Sequence, residues 1–401
     1  MAELLTAPST REPARSRYLP ALDGLRGVAI AGVLLFHTGN LPGGFLGVDL
    51  FFVLSGYLIT DLMLREVAAT GRVSLVHFWG RRIRRLLPAL ATMLAVVTAV
   101  VWSLAPPDLV RTALADGPWA QANLYNWHLL AESASYWDRF GTERVFEHLW
   151  SIAVEEQFYV VWPLVVLVLA RSARAGRNVA IAAGLISLAS LALVVVLVDA
   201  GDPTRVYIGT DTRAFSLLLG AFAAVPEVRE RLRQIVGRHA GSLTVFSAFG
   251  IGAIWLIADG VDSPWLYSGG LFAHSLLSAL LIVLCAERPD ALVSKVFAWR
   301  PLRGLGLVSY SLYLWHWPVI VMLSPQVTGL GGWPWTALVL AVSLALAVLS
   351  KHLVEDPIRY RAQWARGRRG LIAFAAVMIL LAAMWALLPA PAPPVIDVGV
   401  L

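Results

Sequence analysis

The chain has 401 residues, 58% of them hydrophobic and 14% charged, with mean hydropathy +0.70 and formal net charge +6. Those values exclude an ordinary water-soluble globule, and apolar runs near twenty residues recur along the chain. Together they define an all-α polytopic membrane helical bundle. The alternating-polarity strands of an outer-membrane barrel are absent.

Residues 1–17 are polar and basic, lack a cleavable signal pattern and read as a cytosolic N-terminal tail. Eleven apolar spans follow, starting near Pro20, Gly44, Leu87, Leu149, Asn178, Thr212, Gly241, Tyr267, Gly304, Trp335 and Leu371. They predict about ten core transmembrane helices plus an eleventh C-terminal one, with the sixth the shortest. The segments on one side carry 26 Lys/Arg, against five on the other (Arg111, Arg139, Arg144, Arg205, Arg213), and Arg26 lies within the first span. That asymmetry predicts a multi-pass protein of the cell inner (plasma) membrane with its N-terminus cytoplasmic and its C-terminus outside. It also accounts for the basic excess without nucleic acid.

The first span, "LDGLRGVAIAGVLLFHTG", carries Arg26 and His37. Eleven residues make three turns plus about 20°, so both side chains share one stripe about 16 Å apart along the axis. Charge at bilayer depth costs at least about 2.5 kcal/mol, so the pair is expected to face a bundle interior or a watery cavity. A structural pair locking helices is the plainer reading. Histidine, with a reference pKa of about 6.5, can take a proton from a hydroxyl. Asp23, three residues before Arg26, can hold the guanidinium.

The second span, "GGFLGVDLFFVLSGYLITDL", adds Asp49, Ser55 and Tyr57 among glycines that permit close helix approach. "HFWGRRIRRLLPAL" places Arg81, Arg82, Arg84 and Arg85 before the third span. Lipid contact explains such a cluster, and a phosphate clamp does so too, because guanidinium forks match phosphate oxygens. The segment Pro106 to Glu147 is rich in aromatic residues and reads as an interfacial or re-entrant outer cap. There Trp119, Tyr125, Trp127, Tyr136 and Trp137 can stack on sugar rings or simply anchor the interface.

The fourth span, "EHLWSIAVEEQFYVVWP", holds adjacent Glu155 and Glu156 about two turns inside the helix, where they need partners. Asp211 and Arg213 are read as a surface pair opening the sixth span. "LVSYSLYLWHWPVIV" places Ser309, Tyr310, Tyr313 and His316 in the ninth span, where Trp315 and Trp317 read as an aromatic belt. "LVEDPIRY" reads as a structural stop at Pro357. Cys285 reads as a small buried hydrophobe. The eight scattered histidines have no metal-ligand spacing, and neither a nucleophile elbow nor a nucleotide phosphate loop occurs.

Taken in order, these motifs closely resemble the acyltransferase-3 family of membrane O-acyltransferases, from about Tyr18 to Tyr360. The resemblance implies transfer of an acyl group, most simply acetyl from acetyl-CoA, from cytosolic acyl-CoA to a hydroxyl of a glycan or glycosylated acceptor. It puts the family's essential Arg and His on Arg26 and His37. Its Arg-x-x-Arg element falls on Arg82 and Arg85 as the CoA-phosphate contact. Glu155 and Glu156 follow as orienting groups, and Asp49, Ser55 and Tyr310 as substrate-side groups, with Arg26, Ser55 and Tyr310 the candidate oxyanion donors. His37 is expected as general base in direct transfer, or as acyl carrier together with Ser55 as the alternative carrier.

The domain boundaries that follow are 1–17 for the tail, 18–360 for the acyltransferase-3 transmembrane domain, 361–389 for a basic loop and extra helix, and 390–401 for an outer Pro-rich tail. Longer relatives continue into an outer SGNH-type domain, whereas here "PAPAPPVIDVGVL" ends the chain; the expectation is either a truncated long member, whose transfer depends on such a domain or a partner protein, or a form that lost the domain and acts alone. A rival reading is a secondary transporter coupling protons or anions through Arg26, His37, Glu155 and Glu156. A third is a catalytically idle partner or receptor on the same scaffold.

Overall fold

The computed structural model describes residues 18–137, 143–199 and 201–392. The N-terminal tail 1–17, Arg139 and tail residues 393–401 lie outside the described residues. The described chain is helical and without strands. In chain order the helices are α1 Pro20–His37, α2 Gly47–Thr70, α3 Leu75–Leu104, α4 Pro107–Gln121, α5 Tyr125–Ala131 and α6 Leu149–Leu169. Next come α7 Ala175–Leu197, α8 Thr204–Ile208, α9 Thr210–Ala224, α10 Pro226–Val236, α11 Ala240–Ile257 and α12 Gly270–Glu287. The series closes with α13 Leu292–Phe297, α14 Arg300–Met322, α15 Pro325–Thr328, α16 Gly332–Ser350 and α17 Gly367–Leu387.

Among the described residues, ten helical segments are long and apolar enough to cross a membrane. The sixth expected span, α9, has 15 residues and so is only about 22 Å long, short of a hydrocarbon core of about 30 Å. It is nearly all buried by its neighbours and therefore needs no full lipid-facing length. The path of the chain still requires α9 to cross. Gly27 abuts Leu302 and Gly306, and His37 meets His316, so α1 and α14 run in the same direction. That parity holds only if an even number of crossings, α9 included, lies between their starts.

Glycine sets the close contacts that position the site. A Cβ on Gly27 would stand 2.1 Å from the Leu302 carbonyl oxygen, and one on Gly306 would stand 1.8 Å from that of Asp23. Only backbone-to-backbone packing of α1 on α14 fits there, as small residues permit in membranes. The same device joins α2 to α9, where Gly56 meets the Leu217 carbonyl and Gly220 that of Val53. The enclosed helices are α1, α2, α12 and α14, while α7, α11, α16 and α17 turn faces such as Val196, Phe249 and Leu380 outward as lipid-type surface.

The described part of segment 106–147 folds as a helical cap. Arg144 donates to Asp116 at 2.6 Å and to Glu132 at 2.6 Å, and the His128 ring nitrogen lies 3.1 Å from Asp116. Burial pushes the Asp116 carboxyl above its ordinary range, against the pull of Arg144. Asp116, His128 and Glu132 converge closely enough to hold a cation, but the Arg144 guanidinium already supplies the positive charge there. The cap ties to α17 through Trp385, whose indole donates to Gln121 at 2.7 Å.

Candidate active site

A cavity of about 610 Å³ opens between α1, α2, α3, α6 and α14. Its lining includes six guanidinium groups, from Arg26, Arg81, Arg82, Arg84, Arg85 and Arg359, against a single carboxylate, Glu155. Low-dielectric walls carrying one sign of charge focus the field and favour an anionic ligand. Asp23 holds Arg26 at 3.3 Å, as its position in the helix suggests. Arg82 lies 3.8 Å over the Tyr159 ring, a cation–π contact that fixes its plane.

The arginine cluster belongs to α3 itself, which begins at Leu75, about three turns before the expected start of that span. Ser74 caps it, accepting from the His77 amide. Arg359 and Tyr360 reach the cavity because the tenth span does not stop at Pro357. It continues through two π-helical stretches, Lys351–Glu355 and Pro357–Arg361, which re-aim its side chains. Arg359 and Tyr360, just after "VEDP", are therefore part of the cavity wall, and buried Glu355 accepts from Ser311.

Of the two adjacent acids, Glu155 accepts from both Ser55 and Tyr159, whereas Glu156 is not among the cavity-lining residues. Ser55 and Tyr310 both line the cavity, yet each already donates its proton, Ser55 to Glu155 and Tyr310 to the Leu86 carbonyl at 2.9 Å. Asp49 does not reach the cavity. It is fully buried and pairs with Arg213 at 2.7 Å, also accepting from Ser216 at 2.9 Å. The expected Asp211–Arg213 surface pair is thus replaced: Arg213 goes inward to Asp49, and Asp211 pairs with Arg205 at 2.6 Å.

The cavity's deep end is formed by Ser151 and Tyr313, whose hydroxyls lie 2.6 Å apart. His37 is not in the lining. Tyr313 and His316 stand between it and the cavity, so the open passage expected from Arg26 to His37 is closed in this conformation. Beyond this closure three imidazoles gather. His37 Nδ1 lies 2.9 Å from His316 Nε2, and the His148 ring meets that of His316 edge-on at 5.4 Å. The far nitrogen of His37 faces the Tyr136 hydroxyl at 3.5 Å. Phe36, Trp317, Tyr136 and Trp137 wall this pocket with aromatic rings.

In the sequence His316 reads as part of an aromatic belt and His148 carries no assigned role, so neither is expected beside His37. His316 was masked by the flanking tryptophans, and His148 by its place at a helix start. Two histidines 279 residues apart carry no local signal of contact.

The arrangement defines a multi-pass helical membrane protein with an arginine-lined cavity at one end and a histidine cluster near the other. The chain belongs to the acyltransferase-3 family, matching its acyltransferase domain over residues 19–352. The chain is 39% identical over 365 residues to YrhL of Bacillus subtilis (strain 168), covering 89% of this chain and 57% of that protein. It is 36% identical over 353 residues to the peptidoglycan O-acetyltransferase OatA of Listeria monocytogenes, covering 86% of this chain and 56% of that one. Identity to the O-acetyltransferase OatA of Staphylococcus aureus (strain NCTC 8325 / PS 47) is 36% over 351 residues, with 86% and 57% covered. The chain therefore spans a little over half the length of these relatives. No solved structure matches it.

Proposed function

We propose that the chain is a membrane O-acetyltransferase that moves acetyl from cytosolic acetyl-CoA to a hydroxyl of a cell-envelope glycan, with peptidoglycan the acceptor its relatives' names suggest. The observation that supports this most is the six-arginine cavity ending beneath the His37 cluster. Arg82 and Arg85 hold the CoA phosphates at the cytosolic mouth, and the pantetheine arm runs along the stripe from Arg26 toward His37. Their axial separation of about 16 Å is comparable to that arm's reach. The acyltransferase unit is residues 18–360.

In the reaction, His37 Nε2 takes the proton of the acceptor hydroxyl as its oxygen attacks the thioester carbonyl. The tetrahedral oxyanion collapses, the C–S bond breaks, and the imidazolium returns the proton to the departing thiolate. The Tyr136 hydroxyl occupies the place where the acceptor hydroxyl must come. Holding both substrates end to end supplies the orientation that a bimolecular reaction lacks.

The test is acetyl transfer by purified protein. His37→Ala is expected to abolish turnover while acetyl-CoA still binds, because His37 lies outside the donor cavity. Retained turnover removes His37 as the base.

A further inference from the structure

We infer that His316 is a positioning residue that fixes the proton of His37 on Nδ1 and leaves Nε2 as the basic nitrogen facing the acceptor. The inference rests on reading His37 as the base.

The proton placement follows from the bonds. His316 Nδ1 lies 2.7 Å from the carbonyl oxygen of Tyr313, an atom that only accepts, so this nitrogen carries the hydrogen. In neutral His316 the other nitrogen, Nε2, is then a bare acceptor. It lies 2.9 Å from His37 Nδ1, which must therefore be the donor. With its hydrogen on Nδ1, neutral His37 has its lone pair on Nε2, 3.5 Å from the Tyr136 hydroxyl. A backbone carbonyl of α14 thus sets the tautomer of a ring on α1 through one intervening imidazole. A base must be oriented by a third group to keep the correct tautomer, and here a neutral ring takes the place more often held by a carboxylate.

When His37 becomes imidazolium, its Nδ1–H continues to donate to His316 Nε2, so the developing charge is stabilised where water is scarce. The ionisable groups around the pair are few. His37 faces Tyr136 from the cap and His316 from α14; His316 also faces His148, before α6, and Tyr313 on its own helix. His148 directs Nε2 to the Leu314 carbonyl at 3.1 Å and so offers neither neighbour a hydrogen from that nitrogen. Among the described residues no carboxylate hydrogen-bonds to these three rings. The backbone contact of α1 with α14 at Gly27 and Gly306 fixes the spacing between the two histidines.

The experiment compares steady-state kinetics and pH profiles of wild type, His316→Leu and His316→Gln. Leucine removes the acceptor, and kcat is expected to fall at least ~100-fold with KM for acetyl-CoA unchanged, since His316 does not line the donor cavity. Glutamine offers a carbonyl oxygen to His37 Nδ1–H and is expected to recover at least ~10-fold over leucine, with the acid limb of the kcat profile displaced from wild type. Leucine activity within threefold of wild type, equal loss in both variants, or an unmoved acid limb in the glutamine variant overturns the inference. If the leucine variant fails to fold, the acid limb of the glutamine variant decides alone. Turnover retained by His37→Ala sinks the base reading itself, whereas an inactive His37→Ala beside a fully active His316→Leu sinks only the role of His316.

Discussion

The Tyr313 hydroxyl lies 2.6 Å from Ser151 Oγ and 2.9 Å from the His148 carbonyl oxygen, closing the cavity beneath the histidine cluster. Each such bond contributes on the order of 1 kcal/mol net, so a bound donor can open the closure at modest cost. Ser151→Cys, in a Cys285→Ser background, is expected to react with a membrane-impermeant thiol reagent only from the arginine side. Acetyl-CoA should slow that labelling at least fivefold. Labelling from the other side, or no protection, contradicts the assignment of this cavity to the donor.

Arg82 and Arg85 supply planar forks to phosphate oxygens, and each charge-assisted bond is worth roughly 1.5–3 kcal/mol. Arg82→Ala and Arg85→Ala are each expected to weaken acetyl-CoA binding ~10- to 100-fold in calorimetry on detergent-solubilised protein. Arg85→Lys keeps the charge and loses the fork, so it should fall between. Unchanged affinity in both alanine variants removes the clamp.

The bundle, its span order and the arginine cluster were legible in the sequence because membrane helices declare themselves by local composition. Partner choice was not. Asp49 looked substrate-facing because a buried acid in a span demands a reason, and that reason is Arg213, 164 positions away. Arg359 and Glu355 looked like a stop signal because Pro357 ordinarily ends a helix, whereas here π-helical turns carry the helix past it. His316 was hidden by its flanking tryptophans, of which Trp315 is buried in the core and Trp317 packs against His37.

The Asp49–Arg213 pair is fully buried and joins α2 to α9. Removing one partner leaves an uncompensated buried charge, typically costing about 3–5 kcal/mol. Asp49→Leu and Arg213→Met should each lower the detergent melting temperature sharply, while the double variant recovers most of the loss. A double variant no better than either single one contradicts a mainly electrostatic pairing.

Half-buried Glu147 lies in the cap, just before α6, and burial pushes its carboxyl up to about 8 despite the attraction of Arg144. For an acid raised in the folded state, the stabilising contribution is fully present below the unfolded value of about 4.5 and is lost as pH rises through about 8. Glu147→Gln should therefore match wild type in acid and gain on it by up to about 1.4 kcal/mol per pH unit across that window. Melting curves between pH 4 and pH 9 check the slope, and parallel curves for the two proteins would show that the carboxyl titrates normally.

The most direct measurement places donor and acceptor on opposite sides of reconstituted vesicles. Acetyl-CoA is supplied only at the face bearing the arginine cavity and a soluble peptidoglycan fragment only at the other, and release of the CoA thiol is followed. Acceptor-dependent release is expected in wild type and none in His37→Ala. Release that is equal with acetyl-CoA at either face, or that persists without His37, contradicts the assignment, as does solute counterflow with no thiol released.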